Sequence, residues 1–173
     1  WVLATGRSSW WVLFFVYAPI YLTSAGYSPE TAGLVVSAGS ASLFLSVAWG
    51  ALGRKVGMRF ILILGYASAG VVTIMIAMVQ DWPMLVLVLI ILSACAAAIV
   101  DGAGNVPFLR AVHPYERAEM TSVFVTYRHT AQLVTPGVFS LVLGVFALPA
   151  VFVVGGAGFV SMAWLARYLP KRL

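Results

Sequence analysis

Charge is what this sequence has least of. Asp, Glu, Lys and Arg make up 9% of its 173 residues, against about 25% in an ordinary soluble domain. Hydrophobic residues make up 62%, and the mean hydropathy is +1.03. No soluble fold of this length could bury so much apolar surface, so the sequence predicts an integral membrane protein. Segments of alternating polarity, the mark of a transmembrane barrel, are missing. Long unbroken apolar runs call for helices instead. The one cysteine, Cys95, lies inside such a run and supports neither a disulfide framework nor a metal cluster. Gly102-Ala103-Gly104 lacks the strand context and the Lys of a phosphate loop. No other ATP-binding motif occurs, which speaks against primary pumping within the chain, and nothing calls for a cofactor. An intramembrane enzyme would have only His129 and Asp101 as a catalytic pair, and no set of ligands stands at metal spacing.

What is present is a series of apolar spans joined by short polar turns. The spacing predicts helices over about 9–25, 30–52, 59–79, 83–109, 120–146 and 149–165. Pro19 lies inside the first. Ser28 is placed to cap the second, with Pro29 at its first position. Gly33, Ser37 and Ala41 form a small-residue stripe on the second helix, a surface that another helix can approach closely. Trp10 and Trp11 read as interfacial anchors, and so does Trp82 in the turn Gln80–Pro83.

The organising stretch is Gly50-Ala-Leu-Gly-Arg-Lys-Val-Gly-Met-Arg59, a basic hairpin between two spans. Arg7, Arg54, Lys55, Arg59, Arg110, Arg117, Arg167, Lys171 and Arg172 all fall before the first helix, in the 2–3 or 4–5 connector, or after the sixth. The opposite turns carry no Lys or Arg. The net charge of +5 therefore reports topology rather than affinity for nucleic acid. By the positive-inside rule it predicts six transmembrane helices with both ends cytoplasmic.

Six helices with a basic 2–3 loop and a second basic connector resemble one half of a major facilitator superfamily transporter. The family's loop pattern, roughly G-x-L-x-D-R-x-G-R-R, is met at Gly50, Leu52, Gly57 and Arg59, with Lys55 in an Arg place. It is not met at Arg54, where the family has Asp, or at Met58. Pro114-Tyr115-Glu116-Arg117 is similar to the P-x-E-R of the 4–5 connector, and Gly102, Gly104 and Pro107 to elements of the fourth helix. Thr135-Pro136-Gly137 is weakly similar to the Gly-Pro elements of the fifth. Together with a start at Trp1 rather than Met, the resemblance implies the carboxyl-terminal half of a twelve-helix carrier in the inner membrane of a bacterium. Its partners would be the bilayer, a small-molecule substrate, the amino-terminal half of the same polypeptide, and protons if transport is proton-coupled. The implied gating loop comprises Gly50, Leu52, Arg54, Lys55, Gly57, Arg59, Glu116 and Arg117.

Ionisable groups inside spans mark functional candidates. Arg128 lies about eight residues into the fifth helix, roughly 12 Å deep at 1.5 Å per residue. It is either an anion-binding group or a structural partner of Asp101, and Gln132 and Thr135 continue its side of the helix. His129 points about 100° away and is either a proton carrier or a hydrogen-bonded packing residue. Asp101 is a protonation site or the partner of Arg128 or Arg54, and Asn105 shares its side. Tyr17 and Tyr21 line a cavity, if the resemblance holds, or fill the core. The function expected is proton-coupled secondary transport of a small organic solute, anionic or of a drug-like efflux type. The alternative is a non-transporting six-helix scaffold or receptor-like subunit.

Overall fold

The computed structural model describes residues 1–170. The described chain is helical, without strands. Six rods follow one another. The first runs through α1 (Val2–Val12), a π-helical turn (Leu13–Tyr17) and α2 (Ala18–Ser24). The second runs through α3 (Pro29–Ala41), a 3-10 turn (Ser42–Leu45) and α4 (Ser46–Val56). The third is α5 (Met58–Met78). The fourth is α6 (Pro83–Ala103) with α7 (Val106–Ala111). The fifth is α8 (Arg117–Phe124) with α9 (Thr126–Leu143), and the sixth is α10 (Pro149–Ala166).

Four rods among the described residues are long and apolar enough to cross a membrane: Pro29–Val56, Met58–Met78, Pro83–Ala111 and Pro149–Ala166. The first and fifth rods fall outside that set, and they carry the buried polar residues Arg7 and Tyr127 and the exposed Arg128 and Gln132. The apolar exterior suits a lipid solvent. Met78, Met84 and Val88 are each more than half exposed.

Local chemistry explains the ends. The Ser28 hydroxyl accepts from the Thr31 amide at 3.2 Å, and Pro29 opens α3, as the sequence implied. Between α4 and α5 there is hardly a loop. Arg54 and Lys55 occupy the last turn of α4, and Gly57 alone reverses the chain at φ +107°, a conformation that glycine adopts without a Cβ penalty. The basic hairpin is therefore a helix corner. Its cations also favour the negative end of the α4 dipole.

The first helix begins at Val2, seven residues before the predicted start at Ser9. That corrects the charge count, because Arg7 is an interior residue of α1 and not a loop cation. The apolar stretch before Ser9 is long enough to extend the helix, and Arg7 finds its charge partner inside. Trp10 and Trp11 are likewise turned inward. Trp10 is buried and donates to Thr73 Oγ1 at 3.0 Å, so neither acts as an interfacial anchor. Trp82 does stand exposed at the start of α6.

α5 packs against α6 and α10; α1 closes on α9 and α10, and the second rod lies along α6. The close approaches use glycine pairs. A Cβ on Gly70 would stand 2.7 Å from the Gly156 carbonyl oxygen, and one on Gly156 would stand 2.6 Å from that of Gly70. Gly50 and Gly102 make the equivalent crossing of α4 over α6, where a Cβ on Gly50 would meet the Gly102 carbonyl oxygen at 2.9 Å. The Gly33 stripe does not make a contact. Gly33, Ser37 and Ala41 are exposed, and α3 buries the neighbouring line Ala32, Val35 and Gly39 instead. Size alone does not choose between the two lines. Phe14, which reaches across from the first rod, packs where Gly39 leaves room.

Gly156→Ala should force the α5 and α10 backbones apart, at a cost of about 1–3 kcal/mol. Gly158→Ala, which meets open space, should be neutral. Thermal unfolding of the two variants in detergent tests this, and equal midpoints would show that the crossing is not tight.

Candidate functional site

The first, second, fourth and fifth rods surround a cavity of about 660 Å³. Its polar lining is Arg7, Ser8, Asp101, Tyr127, Arg128 and Gln132, and Trp11, Phe15, Val16 and Leu43 are among its apolar wall. Such a volume is that of a small-molecule site.

The spacing along α9 explains part of the wall. Arg128, Gln132 and Pro136 recur every four residues, so they share one face. Pro136 lies inside the helix and has no N–H, so it leaves the Gln132 carbonyl without its intrahelical donor. An acceptor thus sits beside the Gln132 side chain. Thr135 does not continue this face. It is buried on another side of α9 and donates to Ser9 Oγ at 2.8 Å.

Opposite Arg128 is a polar knot that sequence reasoning missed. Arg7 Nε stands 3.4 Å from Asp101 Oδ1, with both side chains largely buried. Arg7 Nη2 donates to Tyr127 Oη at 2.7 Å and to Asn105 Oδ1 at 3.0 Å. Trp11 Nε1 donates to the second Asp101 oxygen, Oδ2, at 2.7 Å. Both carboxylate oxygens are therefore engaged, and the guanidinium is spread over three acceptors. Gly104 leaves room for it, since a Cβ there would lie 2.6 Å from Arg7 Nη1.

Asp101 is thus paired with Arg7, not with the expected Arg128 or Arg54. Arg54 is exposed in the last turn of α4. Arg128 is exposed to the cavity it shares with Asp101. Asn105 joins the site as an acceptor for Arg7, as its shared side with Asp101 suggested. His129 is exposed and is not part of the cavity lining. Its 100° offset from Arg128 takes it off that face. Tyr17 and Tyr21 are core residues, packed edge-on against Phe139 and Phe152 with ring centroids 5.0 Å apart in each case. Neither lines the Arg128 cavity.

Of the implied gating residues, Gly50 makes the helix crossing, Gly57 the corner, and Leu52, Arg54 and Lys55 lie on exposed parts of α4. Arg59 is half-buried in the first turn of α5. Glu116 stands just before α8 without a side-chain cap, and Arg117 donates to the Leu109 carbonyl at 3.0 Å, which ties the 4–5 connector to α7. Lys171 and Arg172 lie outside the described residues.

One signal for the missed knot was present. Arg7 and Trp11 are four apart in an apolar context, so a helix starting before Arg7 puts two polar tips on one face. Asp101→Ala would leave Arg7 buried without a counter-ion, a loss of about 3–5 kcal/mol. The double variant Arg7→Leu/Asp101→Leu should recover much of that, because apolar replacement of a whole buried pair is often neutral. Thermal midpoints in detergent decide, and additive losses would mean that the pair is not coupled.

No curated protein matches the sequence. The family model for the Major Facilitator Superfamily matches residues 2–172. The match runs over nearly the whole chain, and the chain therefore belongs to the Major Facilitator Superfamily, a family of membrane transporters rather than enzymes.

Proposed function

We propose that this chain is the carboxyl-terminal half of a secondary transporter, and that the Arg128 cavity is its share of the substrate site. The observation that carries the reading is the asymmetry of the two arginines. Arg7 is neutralised by Asp101 at 3.4 Å, whereas Arg128 faces a cavity of about 660 Å³ together with Gln132. The cavity therefore offers one cation with donors to spare, beside an amide and an apolar wall of Trp11, Phe15 and Val16. That set suits a small organic anion, or an amphipathic efflux substrate with an anionic group.

The six rods serve as six spans, with the basic ends of α4, α7 and α8 towards the cytoplasm of a bacterial cell. The first and fifth rods fall below a simple apolar threshold because they line an aqueous path, where polar side chains are tolerated. Two of the rods that line the cavity also expose apolar residues, Leu34 and Phe44 on the second and Leu133 and Leu141 on the fifth. They are covered by the amino-terminal half, and transport proceeds by rocking of the two halves about the enclosed substrate.

Coupling to protons runs through Asp101. Protonation there weakens its hold on Arg7 and releases a cation towards the cavity. An anion therefore binds more readily with Asp101 protonated, and proton and anion move together.

Arg128→Gln should raise the apparent KM for an anionic substrate about tenfold or more, the loss expected for one charged hydrogen bond of about 1.5–3 kcal/mol. Uptake into proteoliposomes measures it, and an unchanged KM would remove Arg128 from the site. Asp101→Asn should abolish uptake driven by a pH gradient while sparing substrate exchange at equal pH. Retained gradient-driven uptake would show that Asp101 is not the coupling group.

A further inference from the structure

A second cavity, of about 690 Å³, lies apart from the Arg128 cavity. The N-terminal part of α1 contributes Trp1, Leu3 and Ala4; α5 contributes Leu62 and Tyr66. Pro107, Phe108 and Arg110 of α7, Met120, Val123 and Phe124 of α8, and Leu169 complete the main wall. It shares no lining residue with the Arg128 cavity.

Most of the residues in the wall are apolar. The Tyr66 hydroxyl is already used, donating to the Leu3 carbonyl at 2.5 Å. Phe108 and Phe124 stack at 4.0 Å between centroids, 11° from parallel, and make a flat side. Arg110 is the charged residue in the lining. It already has an interaction within the chain, but a guanidinium carries five donors and can take a second partner.

The rim is basic for a structural reason. Apart from α1, each wall segment carries a cation within about one turn, along the chain, of a residue it contributes: Arg59 precedes Leu62, Arg117 precedes Met120, Arg167 precedes Leu169, and α7 supplies Arg110 itself. Glu116 and Glu119 are the acidic residues of the same connector, and the four arginines outnumber them. An apolar slot with a positive rim, at the basic end of a membrane protein, matches an acyl chain joined to an anionic headgroup.

We propose that this cavity binds an anionic phospholipid of the surrounding leaflet, one acyl chain lying along Phe108, Val123 and Phe124 and the phosphate held at Arg110. The slot joins α1 to α7 and α8, so an occupied slot braces the 4–5 connector against the first rod.

The test is native mass spectrometry of the full-length protein in detergent, titrated with dioleoyl phosphatidylglycerol or with dioleoyl phosphatidylcholine. The wild type should retain one phosphatidylglycerol at least fivefold better than phosphatidylcholine. Arg110→Gln should erase that preference, and Val123→Trp, which fills the slot, should remove the tightest adduct. Arg128→Gln, in the other cavity, should change neither, so failure of the transport reading and failure of this one are separable. Equal retention of the two lipids by the wild type would overturn the proposal. So would a phosphatidylglycerol adduct that survives in both Arg110→Gln and Val123→Trp. Both variants are checked for a monodisperse elution profile. If Val123→Trp does not fold, the headgroup preference of Arg110→Gln decides alone.

Discussion

The buried pair of Arg7 and Asp101 is the constraint on which the rest of the interior depends. An isolated charge in a low-dielectric interior costs several kcal/mol, and the pair is tolerable only if every remaining donor and acceptor is met. Here three further residues from the first, fourth and fifth rods hydrogen-bond to the pair, Trp11, Asn105 and Tyr127, and Gly104 leaves space for the guanidinium. Those three rods are therefore held in one register by polar geometry, where apolar packing in lipid would leave them free to slide. The glycine crossings serve the third and sixth rods in the same way, through shape alone.

The same pair divides the labour of the cations. One arginine is spent on structure, and the other is left towards the cavity. The division follows from depth and company. Arg7 comes off α1 among Trp11, Tyr127 and Asp101, whereas Arg128 comes off the open side of α9, one turn before Gln132. Helix irregularities cluster around this region. The π-helical turn at Leu13–Tyr17, the 3-10 turn at Ser42–Leu45 and Pro136 all border or enter the cavity through Phe15, Val16, Leu43 and Pro136. Each loosens a backbone ladder next to the space where a ligand would sit, which is where irregular backbone in a membrane protein can be satisfied.

Two cavities of similar volume then differ in chemistry. The one beside Arg128 mixes charge, amide and aromatic surface. The one beside Arg110 is an apolar slot with cations at its rim. The first suits a solute that must enter and leave. The second suits an amphiphile drawn from the bilayer.

How much of this could be read from the chain alone follows from the range of the forces involved. Apolar runs and the Ser28–Pro29 start of α3 are local, and they were legible because propensity and hydrophobic period act over a few residues. The face shared by Arg128 and Gln132 was legible for the same reason. The start of the first helix was not, because an arginine near an apolar run looks like a flank until its partner is known. That partner, Asp101, lies ninety-four residues further along, and only the folded packing of α1 on α6 and α9 brings them within 3.4 Å. The contact line of α3 was likewise undecided, since Gly33 and Gly39 are equally small and the position of Phe14 chooses between them. The sequence by itself determined that this is a helical membrane chain with clustered basic connectors, because composition and period are sums over local residues. Only the tertiary structure decided which charges pair, which aromatics face inward and where the cavities open, because those depend on side chains meeting across distant parts of the chain.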